Sequence, residues 1–130
     1  MKLRMKGNSL RFRLQRSDVA KLFESSDVSE VLNVGPTDQD TFCYRLRVHA
    51  GDTAELRFAA SELLVCVPAT WAKELATTEK VGFVAEVNTS PESSVHLTVE
   101  KDFQCLIERP EDKNSDPYPN PEASACGVVS

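Results

Sequence analysis

The first fourteen residues alternate strictly in polarity on either side of a two-residue interruption, and no other stretch restricts the fold as much. Leu3 and Met5 share one face of the opening segment, while Lys2, Arg4 and Lys6 share the other. That period of two belongs to a strand with one buried side. Gly7-Asn8 follows, and both residue types tolerate the positive φ that tight hairpin turns need. Leu10, Phe12 and Leu14 then resume the apolar face, with Arg11, Arg13 and Gln15 opposite. A two-residue loop pairs Met5 with Leu10 and Leu3 with Phe12, whereas a slip by one residue would bury the charges. The spacing predicts a β-hairpin in a single register.

The same register sets Arg4 opposite Arg11 and Lys2 opposite Arg13. Like charges facing across a strand pair destabilise it, by about a few tenths of a kcal/mol each at the surface. The crowding is local. Residues 1–16 carry six basic groups and no acid, so the formal charge of −5 divides into +6 there and −11 elsewhere. Either acidic side chains from neighbouring strands or the chain's tail offset this, with solvent and salt, or a bound anion does.

Downstream, Ser17 as N-cap, Asp18 in the first turn and Val19, Leu22 and Phe23 at helical spacing predict a short helix. Strands are expected over Val28–Val34 and Thr41–His49, the second with Phe42, Tyr44, Leu46 and Val48 on one face and Cys43, Arg45, Arg47 and His49 on the other. A turn at Ala50-Gly51-Asp52 leads to Ala54, Leu56 and Phe58, in a hairpin that would set Arg47 against Glu55 and Arg45 against Arg57. Glu62–Val67 is apolar on both faces. Thr70–Leu75 reads as a second helix, and Val81–Val87 and Val95–Val99 as two more alternating strands.

At 130 residues and 41% apolar content the chain is long enough for one domain with a sizeable core. The expected class is α+β, mainly β: about eight mostly antiparallel strands in a curled or barrel-like sheet, with two short helices plugging or flanking its ends. The domain spans 1–108. Residues 109–130 hold four of the seven prolines and several acids, which predicts a flexible tail with Tyr118 as its anchor. If the strand of Arg45 and Arg47 neighbours the opening hairpin, Arg4, Arg11, Arg13, Arg45, Arg47 and Arg57 share one surface.

Signals for catalysis are mostly negative. Cys43, Cys66, Cys105 and Cys126 contain no C-x-x-C pair, which argues against zinc and redox motifs, and no metal or other cofactor is expected. Cys43 and Cys105 read as packing residues. The N-terminus lacks the apolar core of a signal peptide, and Leu63–Val67 is too short to cross a bilayer, so a cytoplasmic protein with reduced thiols is expected. His49 and His96, the two bases suited to neutral pH, lie on strand faces with no nucleophile or acid beside them in sequence. No G-x-S-x-G, P-loop, H-E-x-x-H or G-x-G-x-x-G pattern occurs. Triphosphate-tunnel enzymes resemble the chain in strand alternation, but Lys2–Lys6 lacks the Glu-x-Glu-x-Lys metal motif of their first strand. Nucleic acid is disfavoured as a partner because Phe12, Phe42, Tyr44 and Phe58 all share inward parity and the net charge is negative.

Met1-Lys2-Leu3-Arg4-Met5-Lys6-Gly7-Asn8-Ser9-Leu10-Arg11-Phe12-Arg13-Leu14 resembles the opening of a family of small uncharacterised bacterial proteins classed as a domain of unknown function. Glu100–Leu106 and Pro117–Pro121 are similar to the same group. The resemblance implies a single-domain bacterial cytoplasmic protein and transfers no activity. The leading expectation is a non-enzymatic module in which Lys2, Arg4, Arg11, Arg13, Arg45 and Arg47 hold an anionic small molecule or an acidic protein segment, guanidinium forks suiting phosphate and carboxylate. The rivals are an enzyme acting on a phosphorylated small molecule in a barrel mouth, with His49 or His96 as base, a nucleic-acid binder, and a structural protein whose charged face does nothing specific.

Overall fold

The opening hairpin forms in the register that its alternation dictates. In the computed structural model, which describes residues 1–103 and Tyr118, β1 (Lys2–Lys6) pairs antiparallel with β2 (Ser9–Leu14), with Leu3 opposite Phe12 and Met5 opposite Leu10. Both like-charged pairs follow, Arg4 against Arg11 and Lys2 against Arg13. Gly7 turns the chain at φ +54°, with open space where a Cβ would sit, so its role is conformational.

Helix α1 (Arg16–Ser25) is capped two residues before the expected Ser17. Gln15 is the N-cap, and its N–H donates to Asp18 Oδ2 at 2.9 Å, so Asp18 closes the first turn from position N3. Ser26 ends the helix at φ 61°. Then come β3 (Asp27–Asn33), β4 (Thr41–His49), β5 (Glu55–Ala59), β6 (Glu62–Pro68), α2 (Ala69–Thr77), β7 (Gly82–Ser90) and β8 (Ser93–Lys101).

The strands form two four-stranded sheets, ordered β1-β2-β8-β7 and β3-β4-β6-β5. The outer pairs are antiparallel and the central pairs, β2 with β8 and β4 with β6, are parallel. The expected β4–β5 hairpin is therefore corrected: β6 lies between these strands. Leu64 separates Arg45 from Arg57, and Cys66 separates Arg47 from Glu55. The reason is that β6 buries Leu63, Val65 and Val67 on one face and Cys66 on the other. A strand covered on both faces belongs inside a sheet.

Both inner faces contribute to one core, where the Phe12 and Tyr44 rings meet at 6.5 Å between sheets. Neither sheet closes on itself, so the arrangement is two facing layers rather than a curled single sheet. The two helices pack against each other at the end to which β2 and β6 lead. The turns Gly7-Asn8 and Ala60-Ser61 mark the opposite end.

The chain traces the same path twice. In the register, Ser9 faces His96 while Glu62 faces Cys43, an offset of 53 positions (Ser9 to Glu62, Cys43 to His96) that exchanges β2 with β6 and β4 with β8. At that offset the core repeats: Leu10 and Leu63, Phe12 and Val65, Leu14 and Val67, Val19 and Ala72, Leu22 and Leu75 are all buried. Each unit is strand–strand–helix–strand–strand, and each places its fourth strand beside the second strand of the other.

Of the Pro-rich segment 109–130, only Tyr118 lies within the described residues, and it is anchored as read from the sequence. Its N–H donates to the Asp102 carbonyl at 2.7 Å, and its ring meets Phe103 at 6.1 Å and the Lys101 ammonium at 4.8 Å.

Candidate functional site

The outward face of the β1-β2-β8-β7 sheet concentrates the positive side chains of the opening hairpin. β1 contributes Lys2, Arg4 and Lys6, and β2 contributes Arg11 and Arg13. The register continues these rows onto Thr98 and Glu100 of β8. Neighbouring acids offset part of the charge. Arg11 Nε lies 3.1 Å from Glu100 Oε1, and Lys2 Nζ lies 3.1 Å from the buried Asp102. Arg4, Lys6 and Arg13 form no ion pair among the described residues. Lys6 is exposed, as is Arg4, whose fork is thus open to solvent beside the half-buried Arg13.

Arg45 and Arg47 lie elsewhere. They project from the outward face of the other sheet, so the structure does not bring them together with Arg4, Arg11 and Arg13. Asp27 binds both, receiving Arg45 Nη1 on Oδ1 at 3.0 Å and Arg47 Nε on Oδ2 at 3.1 Å. The hydrogen bond to Asp27 is the main reason that the Arg45 pKa is raised further, and Glu62 Oε2 adds attraction from 3.6 Å. Their charge is committed within the protein. The expected surface of six arginines is two surfaces that face away from each other, because the inner faces share the core.

The histidines differ in what they offer. His49 Nε2 lies 2.7 Å from the Thr53 carbonyl and Nδ1 lies 3.1 Å from Glu55, so acceptors already occupy both ring nitrogens. His96 is half exposed and engages Glu86 through Nδ1 only, among the described contacts. That hydrogen bond leads in holding the Glu86 carboxyl below its ordinary range. The dyad lies on the open sheet surface rather than in a cleft. Among the described residues, no group of three or more histidine, cysteine or acidic side chains could hold a metal ion, and no helix is long and apolar enough to cross a membrane.

Sequence reasoning missed three features. Asp18, read there as a helix-dipole residue, also binds the buried Met1 ammonium at 2.9 Å, with Glu30 at 3.0 Å. Lys101 has inward parity at the end of β8; it is buried, burial lowers its pKa, and it donates to the Thr78 carbonyl at 3.0 Å. An apolar cleft of about 350 Å³ opens between the sheets at the turn end, lined by Met5, Leu10, Phe42, Phe58 and Leu63 among others. Parity assigned these cleft residues inward. It carries no signal for whether anything covers them.

A family model described as a family of unknown function (DUF7009) matches residues 1–122. No curated protein and no solved structure matches the chain.

Proposed function

The chain belongs to the family DUF7009, whose description supplies no activity, and from the geometry we propose that it is a non-enzymatic module binding an anionic small molecule or acidic protein segment on the outward face of β1 and β2. One observation carries the reading: Arg4 stands directly opposite Arg11 and Lys2 opposite Arg13, while among the described residues Glu100 pairs with Arg11 and Asp102 with Lys2. Two guanidinium forks on adjacent strands, those of Arg4 and Arg13, are left with hydrogen-bond donors suited to phosphate or carboxylate. Among the described residues β1 and β2 present no phenylalanine, tyrosine or tryptophan outward on which a base could stack, and the His96 ring on neighbouring β8 is engaged by Glu86, which favours a compact anion over nucleic acid. Arg45 and Arg47 drop out of the site because Asp27 holds them.

Thermal shifts with phosphate, pyrophosphate, nucleotides and short nucleic acids, at low and moderate salt, test the proposal. A ligand at about a hundred times its dissociation constant stabilises by about 2.7 kcal/mol. The shift is expected to vanish in an Arg4→Gln/Arg13→Gln variant, to persist in Arg45→Gln, and to shrink with salt. If no anion shifts the wild type and the double variant is simply more stable, the face is an unrelieved electrostatic cost and the proposal fails.

A further inference from the structure

Among the described residues the outer edge of β1 has no strand beside it. The Asn8 and Leu14 carbonyls accept the N–H groups of His96 and Asp102, so the even-numbered residues of β2 turn their backbone toward β8. Ser9, Arg11 and Arg13 therefore turn theirs toward β1, where they meet Lys6, Arg4 and Lys2. In the alternation of an antiparallel ladder, the N–H and C=O groups of Leu3 and Met5 then point away from β2, to the open edge.

Such edges are commonly blunted by proline, a bulge or an inward-pointing charge. β1 has none of these: its register is continuous, and its inward residues are Leu3 and Met5, the latter 61% exposed. Glu30 of β3 binds the Met1 ammonium, which sets the edges of β1 and β3 on the same side of the two layers. There β3 leaves Leu32, of the same parity as buried Val28, 54% exposed. The outward residues Arg4 and Lys6, two positions apart, are exposed cations without an ion pair among the described residues.

Charge decides what can pair here. A second copy joining through β1 would set Lys2, Arg4 and Lys6 against the same cations, which is unfavourable. The remaining edge strands offer no complement. Outward, β3 presents Asp27 and then Ser29, β5 presents Glu55 and then Arg57, and β7 presents Glu86 between Val84 and Asn88.

We propose that β1 takes up an extended acidic segment of a partner protein as a fifth strand of its sheet. Acids two positions apart meet Arg4 and Lys6, and the apolar residue between them covers Met5. The inference rests on the basic-face reading for its charges and adds a backbone ladder, which a small anion cannot use. Fluorescence anisotropy of the full chain with a labelled, end-capped peptide of about seven residues, glutamate alternating with valine, tests it. Saturable binding is expected, and a peptide of the same composition with its glutamates in one block should bind about tenfold more weakly or worse. N-methylating the valines or the glutamates should abolish binding in one case and spare it in the other, because only alternate N–H groups reach β1. Met5→Pro removes an N–H from the open edge and none from the β2 ladder, so it should also weaken binding about tenfold. Arg4→Gln/Lys6→Gln should weaken it about threefold to fivefold. Equal binding of the alternating and blocked peptides, or of the two N-methylated forms, overturns the proposal. Light scattering in which Met5→Pro converts a dimer to a monomer also overturns it, by making a second copy the occupant. If a pyrophosphate shift is lost in Arg4→Gln/Arg13→Gln but the alternating peptide is not preferred, this inference fails and the basic-face reading stands. Failure of the basic-face reading instead removes the pyrophosphate shift and the charge dependence of peptide binding together.

Discussion

Asp18 joins two requirements in one carboxylate. It accepts the Gln15 N–H that begins α1 and faces the Met1 ammonium at 2.9 Å, in a position only 5% exposed. Burial alone would lower the pKa of that amino group, but the hydrogen bonds it donates to Asp18 and Glu30, with their charge, outweigh this, and the pKa rises above the ordinary 8.0. The folded protein thus holds this proton more tightly than the unfolded chain. Its contribution to stability is complete below about pH 8 and fades as pH rises through the raised folded value. Asp18→Ala leaves a buried charge short of its counterion and removes a cap, which should cost about 3 kcal/mol near neutral pH. Asp18→Asn keeps an acceptor for the cap and should cost less, with a flatter loss of stability above about pH 8. Urea denaturation across pH separates the two effects. A cost for Asp18→Ala no larger than that of a surface substitution would refute this assignment. Helical spacing and a favourable first-turn acid made α1 legible, yet no periodicity reports which amine a carboxylate meets in space.

At the scale of elements, the two hairpin turns share a left-handed first residue, Gly7 or Ala60, and differ at the second, where Ser61 but not Asn8 is left-handed. Gly7 adopts φ +54° without strain, whereas Ala60 and Ser61 stand at φ 50° and 62°. A side chain in the left-handed region costs about 1–2 kcal/mol, partly offset because glycine widens the unfolded ensemble. Ala60→Gly should therefore stabilise the protein by about 0.5–1 kcal/mol, and Gly7→Ala should destabilise it by about as much. Melting temperatures of the two variants should move in opposite directions; movement in the same direction would refute the strain assigned to the left-handed first position of these turns. This difference also explains which hairpin could be read. Gly7-Asn8 announces a turn in its composition, and the β1–β2 register followed down to its opposed arginines. Ala60-Ser61 announces nothing, so the β5–β6 hairpin stayed hidden and β5 was joined to β4 instead. The doubly apolar character of β6, visible in Leu63–Val67, was the clue that it required a partner on each edge.

For the whole molecule, the decisive contacts are those farthest apart along the chain. β2 pairs with β8, and β4 pairs with β6, so each repeat completes the sheet of the other. Local patterning fixes hairpins, but it cannot choose their neighbours, which is why the basic face of β1 and β2 was legible and its supposed extension to Arg45 and Arg47 was not. The repeat itself was obscured because the 53-residue offset preserves apolarity and burial more than identity: Phe12 answers to Val65, and Val19 to Ala72. Interleaving has a consequence for folding. Neither repeat can unfold while the other stays intact, since each would expose the central strand of a sheet, so both sheets should melt in one transition. Phe12→Ala in one sheet and Val65→Ala in the other should each destabilise the whole molecule, the former by about 3–5 kcal/mol. Far-ultraviolet circular dichroism and Trp71 fluorescence should give coincident urea transitions for the wild type and both variants. Parallel pairing between β2 and β8 must also await nearly the whole chain, which predicts refolding on the order of milliseconds to seconds rather than microseconds. Separate transitions for the two probes would mean that one sheet survives alone, and the interlocked arrangement would then not be what holds the protein together.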